Sequence, residues 1–355
     1  MPLYKCINLD QSNSTIVKED TQDGTTTVDI TSTTESANKD WIAYIQKYGS
    51  GITELPSSLT LIRNYAFYEC SGLNLTSLPK NITSIGSYAF YNCINLKLSS
   101  LPEGVTTIHS HAFDGCVDFK SMSLPDNISD ISNYAFSNCI NLVHINLPSK
   151  ATEIYDGVFD GCNSLALTSL PDGVKSIGRY AFRYCYDLAL TNLPSELIDI
   201  GGDAFVACAK LAFTSLPSKI TSIGARAFDN CTNLSLTSLP SKVDVIGSET
   251  FSNCTNLALT SLPSGMRNIW SSAFYHCTNL ALTSLPSGIK IIDKYAFSSC
   301  TGLTSITFEG TPTTIASTAF YNCTNLKNIY VPWSEGAVAD APWGATNATI
   351  TYDVT

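Results

Sequence analysis

The chain has no long apolar run, few charges and no surplus of basic residues. None of its 355 residues falls in a stretch approaching the roughly 20 apolar residues of a spanning helix, so membrane insertion is not expected. Charged residues make up 14 % and the net charge is −10, which removes the basic face that a nucleic acid or an anionic membrane requires. The N-terminus, MPLYKCINLDQSNSTIVKED, lacks the apolar run of roughly 7–15 residues found in secretory signals. Either a signal has been removed or the chain leaves its cell by another route, such as inside a virus particle.

Catalytic sets are missing as well. There is no Gly-rich phosphate loop, no paired-carboxylate motif and no serine elbow. His109 and His111 lie close together on a turn without a third metal ligand at a suitable spacing, and the reading is solvated surface histidine. No cysteine has a His or Lys at a constant repeat position to activate it. The expectation is a protein without enzymatic activity, cofactor or metal.

What the sequence does have is a metronome. Twelve of its thirteen cysteines lie 23 residues apart, from Cys70 to Cys323, and a phenylalanine stands three residues before each, from Phe67 to Phe320. A fixed period of this size marks a solenoid, in which each coil buries its apolar side only against its neighbours. One cysteine per coil stacks the thiols in a single column. Parallel side chains disfavour the disulfide dihedral, so buried free thiols acting as small apolar fillers are expected; Cys6 lies outside the array.

The coil CTNLALTSLPSGMRNIWSSAFYH, which begins at Cys254, shows the internal pattern. Apolar residues recur at Cys254, Leu257, Leu259, Leu262, Met266, Ile269, Ala273 and Phe274. Spacings of two and three, rather than 3.6, describe a short strand and a bent return path. Pro263 and its equivalents cannot donate to a ladder and are read as strand ends. Glycine after the isoleucine, as at Gly86 and Gly224, is read as a turn with positive φ, and the Ser87–Phe90 type of segment as a short helical turn. Four coils carry Leu-x-x-Ile-x-Leu spacing, as at Leu142, Ile145 and Leu147. Eight carry Leu-x-Leu-x-x-Leu, as at Leu165, Leu167 and Leu170, where an irregularity such as a bulge is expected near Thr168-Ser169. The fold expected is a solenoid rod of twelve 23-residue coils. A short-stranded parallel sheet forms one side, and turns and short helical segments form the other.

The spacing Cys-x-x-Leu-x-x-Ile-x-Leu-Pro-x-x-(Val/Ile)-x-x-Ile-Gly-x-x-Ala-Phe, carried most directly by 139–161 and 300–322, resembles the BspA-type leucine-rich repeat of bacterial and protozoan surface proteins. The resemblance spans roughly residues 52–332. It implies a right-handed, curved leucine-rich-repeat solenoid with its parallel sheet on the concave side. It further implies non-enzymatic adhesion to host matrix proteins or to other cells.

The ends depart from the repeat. In residues 1–50, threonine-rich stretches around Ile16-Val17 and Thr25–Ile30 are read as edge strands. Trp41, Tyr44, Ile45 and Tyr48 fall at helical spacing, giving an expected helix over about 36–48. This segment is read as a cap over the first coil or as a module that anchors the chain to a larger assembly or to a second copy. Residues 51–332 form the solenoid, and 333–355, with Trp333 and Trp343, a C-terminal cap in which Ala348–Tyr352 adds a closing strand.

Ligand contact must then come from positions at which the coils differ. Two residues before each phenylalanine stands a variable exposed position occupied by Tyr65, Tyr88, Tyr134, Tyr180 and Tyr295, alternating with His111, Asp203, Arg226 and Glu249. The densest cluster is Arg179, Tyr180, Arg183, Tyr184 and Tyr186. Tyr and Arg concentrate at interaction hot spots, and tyrosine also stacks on sugars; the alternative is that tyrosine merely shields the Ala-Phe segment beneath it. Candidate binding residues are therefore Arg179, Tyr180, Arg183, Tyr184, Tyr186, Tyr65, Tyr88 and Tyr134. The function expected is a recognition or adhesion module for a protein or glycan, placed at a cell surface or outside the cell. The alternative is a structural or receptor-binding appendage of a virus particle, such as a phage tail or fibre, anchored by residues 1–50.

Overall fold

One isoleucine per coil carries the main strand ladder. In the computed structural model, which describes Leu55, Ser57, residues 59–354 and the two strands Thr15–Lys18 and Thr26–Asp29, the chain falls into two units, Met1–Leu167 and Thr168–Thr355. In the first, Leu61–Ile62, Ser84–Ile85, Thr107–Ile108 and Asp130–Ile131 pair in parallel, with each isoleucine opposite the one 23 residues on. In the second, Ser176–Ile177, Asp199–Ile200 and Ser222–Ile223 do the same. Val245–Ile246, Asn268–Ile269, Ile291–Ile292 and Thr314–Ile315 form a further ladder. Each unit is thus a parallel-strand solenoid of coils about 23 residues long. Two-residue strands suffice because the neighbouring coils, not the strand itself, supply the buried area.

The ladder lies after the proline, not before it as the leucine spacing suggested. A second strand column does precede the proline, mostly in coils with Leu-x-x-Ile-x-Leu spacing. It comprises Ser121–Met122 beside His144–Ile145 in one unit, and Ser284–Leu285, Ser305–Phe308, Asn328–Tyr330 and Thr349–Thr351 in the other. Both spacings turn their middle residue inward. Ile145 and Ile306 are buried, and so are Leu75, Leu190 and Leu259; Leu167 is half-buried. Thr349–Thr351 pairs with Asn328–Tyr330, while Trp343 is fully buried and donates its indole N–H to Ala339 O at 2.7 Å. Before the solenoid, Thr15–Lys18 and Thr26–Asp29 pair antiparallel where edge strands were expected; the helix expected over 36–48 lies outside the described residues.

The segment before each cysteine is not helical, and no helix occurs among the described residues. It is a run of tight turns with two left-handed residues per coil, the residue two before phenylalanine and the residue two after it, except that Thr318 in the last coil is not left-handed. Examples are Tyr65 and Glu69, Tyr88 and Asn92, Arg226 and Asn230, and Glu249 and Asn253, all with φ of 54–61°. That conformation costs an ordinary L-residue roughly 1–2 kcal/mol. It persists because it aims alternate N–H groups at the next coil. Tyr65 N donates to Ser87 O, Phe67 N to Ala89 O and Glu69 N to Tyr91 O, at 2.7–2.9 Å. The N–H groups between them close turns within the coil, as Cys70 N does to Phe67 O. Every donor in the run is therefore used, which a buried backbone requires.

The glycine after the isoleucine has another role than the positive φ expected of it. Gly86 and Gly201 are not left-handed; a Cβ on Gly86 would stand 2.5 Å from Asn64 N, and one on Gly201 2.6 Å from Arg179 N. These glycines permit one coil's backbone to touch the next.

Inside each unit the phenylalanines stack nearly parallel, with centroids 5.1–5.4 Å apart from Phe67 through Phe136. The cysteines beside them are buried, but they are more than apolar filler. From the second coil on, the thiols donate to the carbonyl of the preceding coil's phenylalanine, as Cys93 Sγ does to Phe67 O at 3.0 Å, Cys254 Sγ to Phe228 O at 3.0 Å and Cys323 Sγ to Phe297 O at 2.9 Å, whereas Cys70 donates to Tyr68 O. That carbonyl also accepts the N–H of its own coil's cysteine, so both of its lone pairs are satisfied.

The stacking loosens within the first unit. Asp130–Ile131 does not pair with Glu153–Ile154, the Phe136–Phe159 spacing widens to 6.1 Å, and a cavity of about 40 Å³ opens between them. Ala151 lines it at a position where the flanking coils carry Ile128 and Val174. Replacing Ala151 by Val is expected to stabilise the first unit by about 1 kcal/mol, the order of cost of a cavity this size. Denaturant titration reads the gain, and a destabilised variant would show that the slot cannot accept a side chain.

Candidate recognition surface

Left-handed positions hold their side chains out of the core at the same height in every coil, so equivalent residues form columns on the turn face. In the first unit the column two before phenylalanine reads Tyr65, Tyr88, His111 and Tyr134. Their rings lie within 7° of parallel, with centroids 5.0, 4.5 and 4.9 Å apart. A second column, one after phenylalanine, places Tyr68 on Tyr91 at 4.9 Å. Tyr134 ends its stack over Gly157, where any Cβ would collide with the ring. His111 is thus a rung of an aromatic ladder rather than a solvated surface histidine, and its Nδ1 donates to the buried Asp114 carboxylate at 2.9 Å. Interior rungs have both faces covered by their neighbours. What Tyr88 and Tyr134 present to solvent is an edge and a hydroxyl, not a face on which a sugar could stack.

In the second unit the structure brings together the residues of the Arg–Tyr cluster. The Arg183 guanidinium lies 4.5 Å from the Tyr180 ring centroid and 5.2 Å from that of Tyr184, and Arg179 lies 5.3 Å from Tyr180. Tyr186 sits 6.3 Å from Tyr184, tilted by 46°, and both are exposed. Planar cations held over aromatic faces give a rigid, half-apolar patch with donors on its rim. Its positive charge stands out on a chain of net charge −10.

Farther along the same turn face the sign reverses. Arg226 is held by three carboxylates: Asp203 at 3.2 Å, Asp229 at 3.0 Å and Glu249 at 3.3 Å. Beyond it lies a groove of about 550 Å³ between Asp229 and Asn322, with Tyr275, Tyr295 and Tyr321 exposed along it.

A family model described as BspA type leucine rich repeat region, in six copies, matches the chain over residues 48–166, 106–235, 152–281 and 227–339. The chain belongs to this family. Among solved structures, this BspA-type chain is similar to a leucine-rich repeat protein from Bacteroides ovatus, with 24 % identity over 84 % of this chain and 91 % of that one and a TM-score of 0.57. It is also similar to a leucine rich cell surface protein from Faecalibacterium prausnitzii, with 25 % identity over 94 % of this chain and 96 % of that one and a TM-score of 0.55. No curated protein matches it. Among the described residues of this BspA-type chain, no group of three or more His, Cys, Asp or Glu side chains could hold a metal, and no helix is long and apolar enough to cross a membrane.

The eight candidate residues therefore occupy two different settings. Tyr65, Tyr88 and Tyr134 belong to the ladder of the first unit, and Arg179, Tyr180, Arg183, Tyr184 and Tyr186 to the patch of the second. Sequence reasoning passed over Tyr68 and Tyr91, whose 23-residue offset signals a second column, and over Tyr275 and Tyr321, two periods apart in that column.

Proposed function

We propose that this chain is a non-enzymatic adhesion module displayed at the cell surface, which recognises a protein partner through the patch Arg179, Tyr180, Arg183, Tyr184 and Tyr186. The observation that carries this reading is the seating of two guanidinium groups over adjacent, solvent-facing tyrosine rings. Such a patch gives large contact area at low entropic cost, and it favours an acidic partner surface. The family is one of surface repeat proteins, which agrees with a role in contact rather than turnover. The ladder of Tyr65, Tyr88 and Tyr134 is assigned a supporting role, stiffening the turn face.

The test uses substitutions that other coils already accept. Tyr180→Ser copies Ser272, Arg183→Ser copies Ser252 and Tyr184→Asn copies Asn253, so no backbone strain is added. Beads coated with the triple variant are expected to lose at least tenfold in adherence to immobilised matrix proteins and epithelial cells. Full adherence by the folded variant would remove the patch from the function.

A further inference from the structure

The groove of the second unit is a place where the aromatic columns have missing rungs. In the column two before phenylalanine, Tyr295 is preceded by Ser272 and Glu249 rather than by another ring. In the column one after phenylalanine, Tyr275 stands between Ser252 and Ser298, and Tyr321 follows Ser298. Filled columns elsewhere set rings about 5 Å apart and close their faces. Here serine replaces the neighbouring ring, so no parallel ring stacks on Tyr295 from the Ser272 side, and Tyr295 meets Tyr321 edge-on at 6.2 Å and 87° to form two perpendicular aromatic walls. Tyr275 and Tyr321 stand two coil spacings apart, roughly 10 Å, over a floor of small residues. That width admits a saturated six-membered ring but not a folded protein surface.

Around these walls the groove is lined by small polar groups. Asn253 Nδ2 donates to Ser252 Oγ at 3.0 Å and Asn322 Nδ2 to Ser299 Oγ at 3.1 Å. Among the described residues their Oδ1 atoms accept no hydrogen bond and are left for a ligand. At the far end Asp203, Asp229 and Glu249 surround one Arg226, three negative groups against one positive, so the groove repels anions.

We propose that this groove is a carbohydrate subsite, in which a neutral pyranose unit of a glycan lies against Tyr295 and Tyr321 while Asn and Ser side chains hydrogen-bond its hydroxyls. Ring faces supply the CH-rich contact, amides and hydroxyls the polar readout, and the carboxylates exclude sialylated or uronic sugars. The proposal rests on the reading of the chain as a recognition module but uses a surface separate from the Arg–Tyr patch.

Ser272→Tyr tests it, because tyrosine already occupies that position at nearly the same φ in five coils, as at Tyr65 and Tyr295. The variant supplies the absent rung and closes the groove without disturbing the fold. Wild type, Ser272→Tyr, Tyr295→Ala and the patch triple variant are applied to an array of neutral glucose, mannose, galactose and N-acetylglucosamine oligomers with sialylated counterparts. Expected are binding of at least one neutral series and none of the sialylated ones, a tenfold or greater loss in Ser272→Tyr and Tyr295→Ala, and no change in the patch variant. Three outcomes overturn the subsite: no neutral oligomer bound, equal binding by Ser272→Tyr with an unchanged melting profile, or preference for the sialylated set. None of these touches the patch, whose adherence assay stands or fails separately.

Discussion

Stability is expected to collapse between about pH 9 and pH 11, and the second unit should fall more steeply than the first. Burial, more than any neighbouring charge, raises the thiols of Cys70, Cys93, Cys116 and Cys139 in the first unit above their ordinary value near 9. It does the same for Cys208, Cys231, Cys254, Cys277 and Cys300 in the second, and pushes Cys323 up to about 12. Below pH 9 folded and unfolded chains both hold these protons, and the contribution of burial is complete. Above it the unfolded chain releases them while the coils retain them. Unfolding then becomes easier by about 1.4 kcal/mol per pH unit for each such cysteine. Six in the second unit give about 8 kcal/mol per pH unit and four in the first about 6, against a typical domain stability of 5–15 kcal/mol. Urea titrations at pH 8, 9 and 10 under reducing conditions measure the slope. Serine at Cys208, Cys231 and Cys254, which retains a donor for the phenylalanine carbonyl, should reduce the slope of the second unit by half. A stability unchanged from pH 8 to 10 would mean that the thiols are not sequestered, and rapid thiol labelling of the native protein at pH 8 would say the same.

Phe251→Ala is expected to cost 3–5 kcal/mol, the usual range for removing a fully buried phenyl ring. Phe251 is fully buried between Phe228, at 5.6 Å, and Phe274, at 5.7 Å, so truncation removes two stacking contacts along with the buried area. Its position matters as much as its size. In a solenoid each coil is supported only by its neighbours, so a weak coil in the interior divides the cooperative unit. The variant should therefore unfold in more than one step, with hydrogen exchange fast in the coil around Phe251 and slower in the coils on either side. Val338→Ala, a smaller change in the C-terminal segment, serves as the comparison and should leave a single transition. One uniform transition for Phe251→Ala, with little loss, would contradict the stacked-column account of the core.

The period and the inward set were readable from the sequence because both are repeated facts. All eight apolar positions of the coil from Cys254 to His276 prove buried, and the cysteines and phenylalanines stack as their spacing requires. What was harder to read was the backbone between them. The Ser-Tyr-Ala-Phe segment looks helical because its residues tolerate helix, yet seven of the twelve residues immediately before a cysteine are Asn or Gly, as at Asn92, Gly115 and Asn138. Those residue types accept the left-handed region most readily, and that signal distinguishes the turn run from a helix. The strand column was misplaced for a related reason: leucines dominate the pattern, whereas the ladder follows the isoleucine after the proline and the residue before it, as at Thr107-Ile108 and Asp199-Ile200. The Arg–Tyr cluster was legible as neighbours in sequence. The groove was not, since Ser272, Tyr295 and Tyr321 become adjacent only once successive coils are superposed, and its defining feature is the absence of a ring.

The donor pattern of the turn run also governs how such a gene can change in length. Because the residue two before phenylalanine, the phenylalanine and the residue two after it give their N–H groups to the following winding in coil after coil, as at Tyr88, Phe90 and Asn92, windings within a unit present similar interfaces. Unequal recombination that duplicates or deletes 23 codons joins similar surfaces and keeps the columns in register. An insertion of any other size would rotate all downstream positions out of phase. Selection can thus lengthen or shorten the displayed surface in whole steps, and can exchange a groove for a ladder by swapping a single winding.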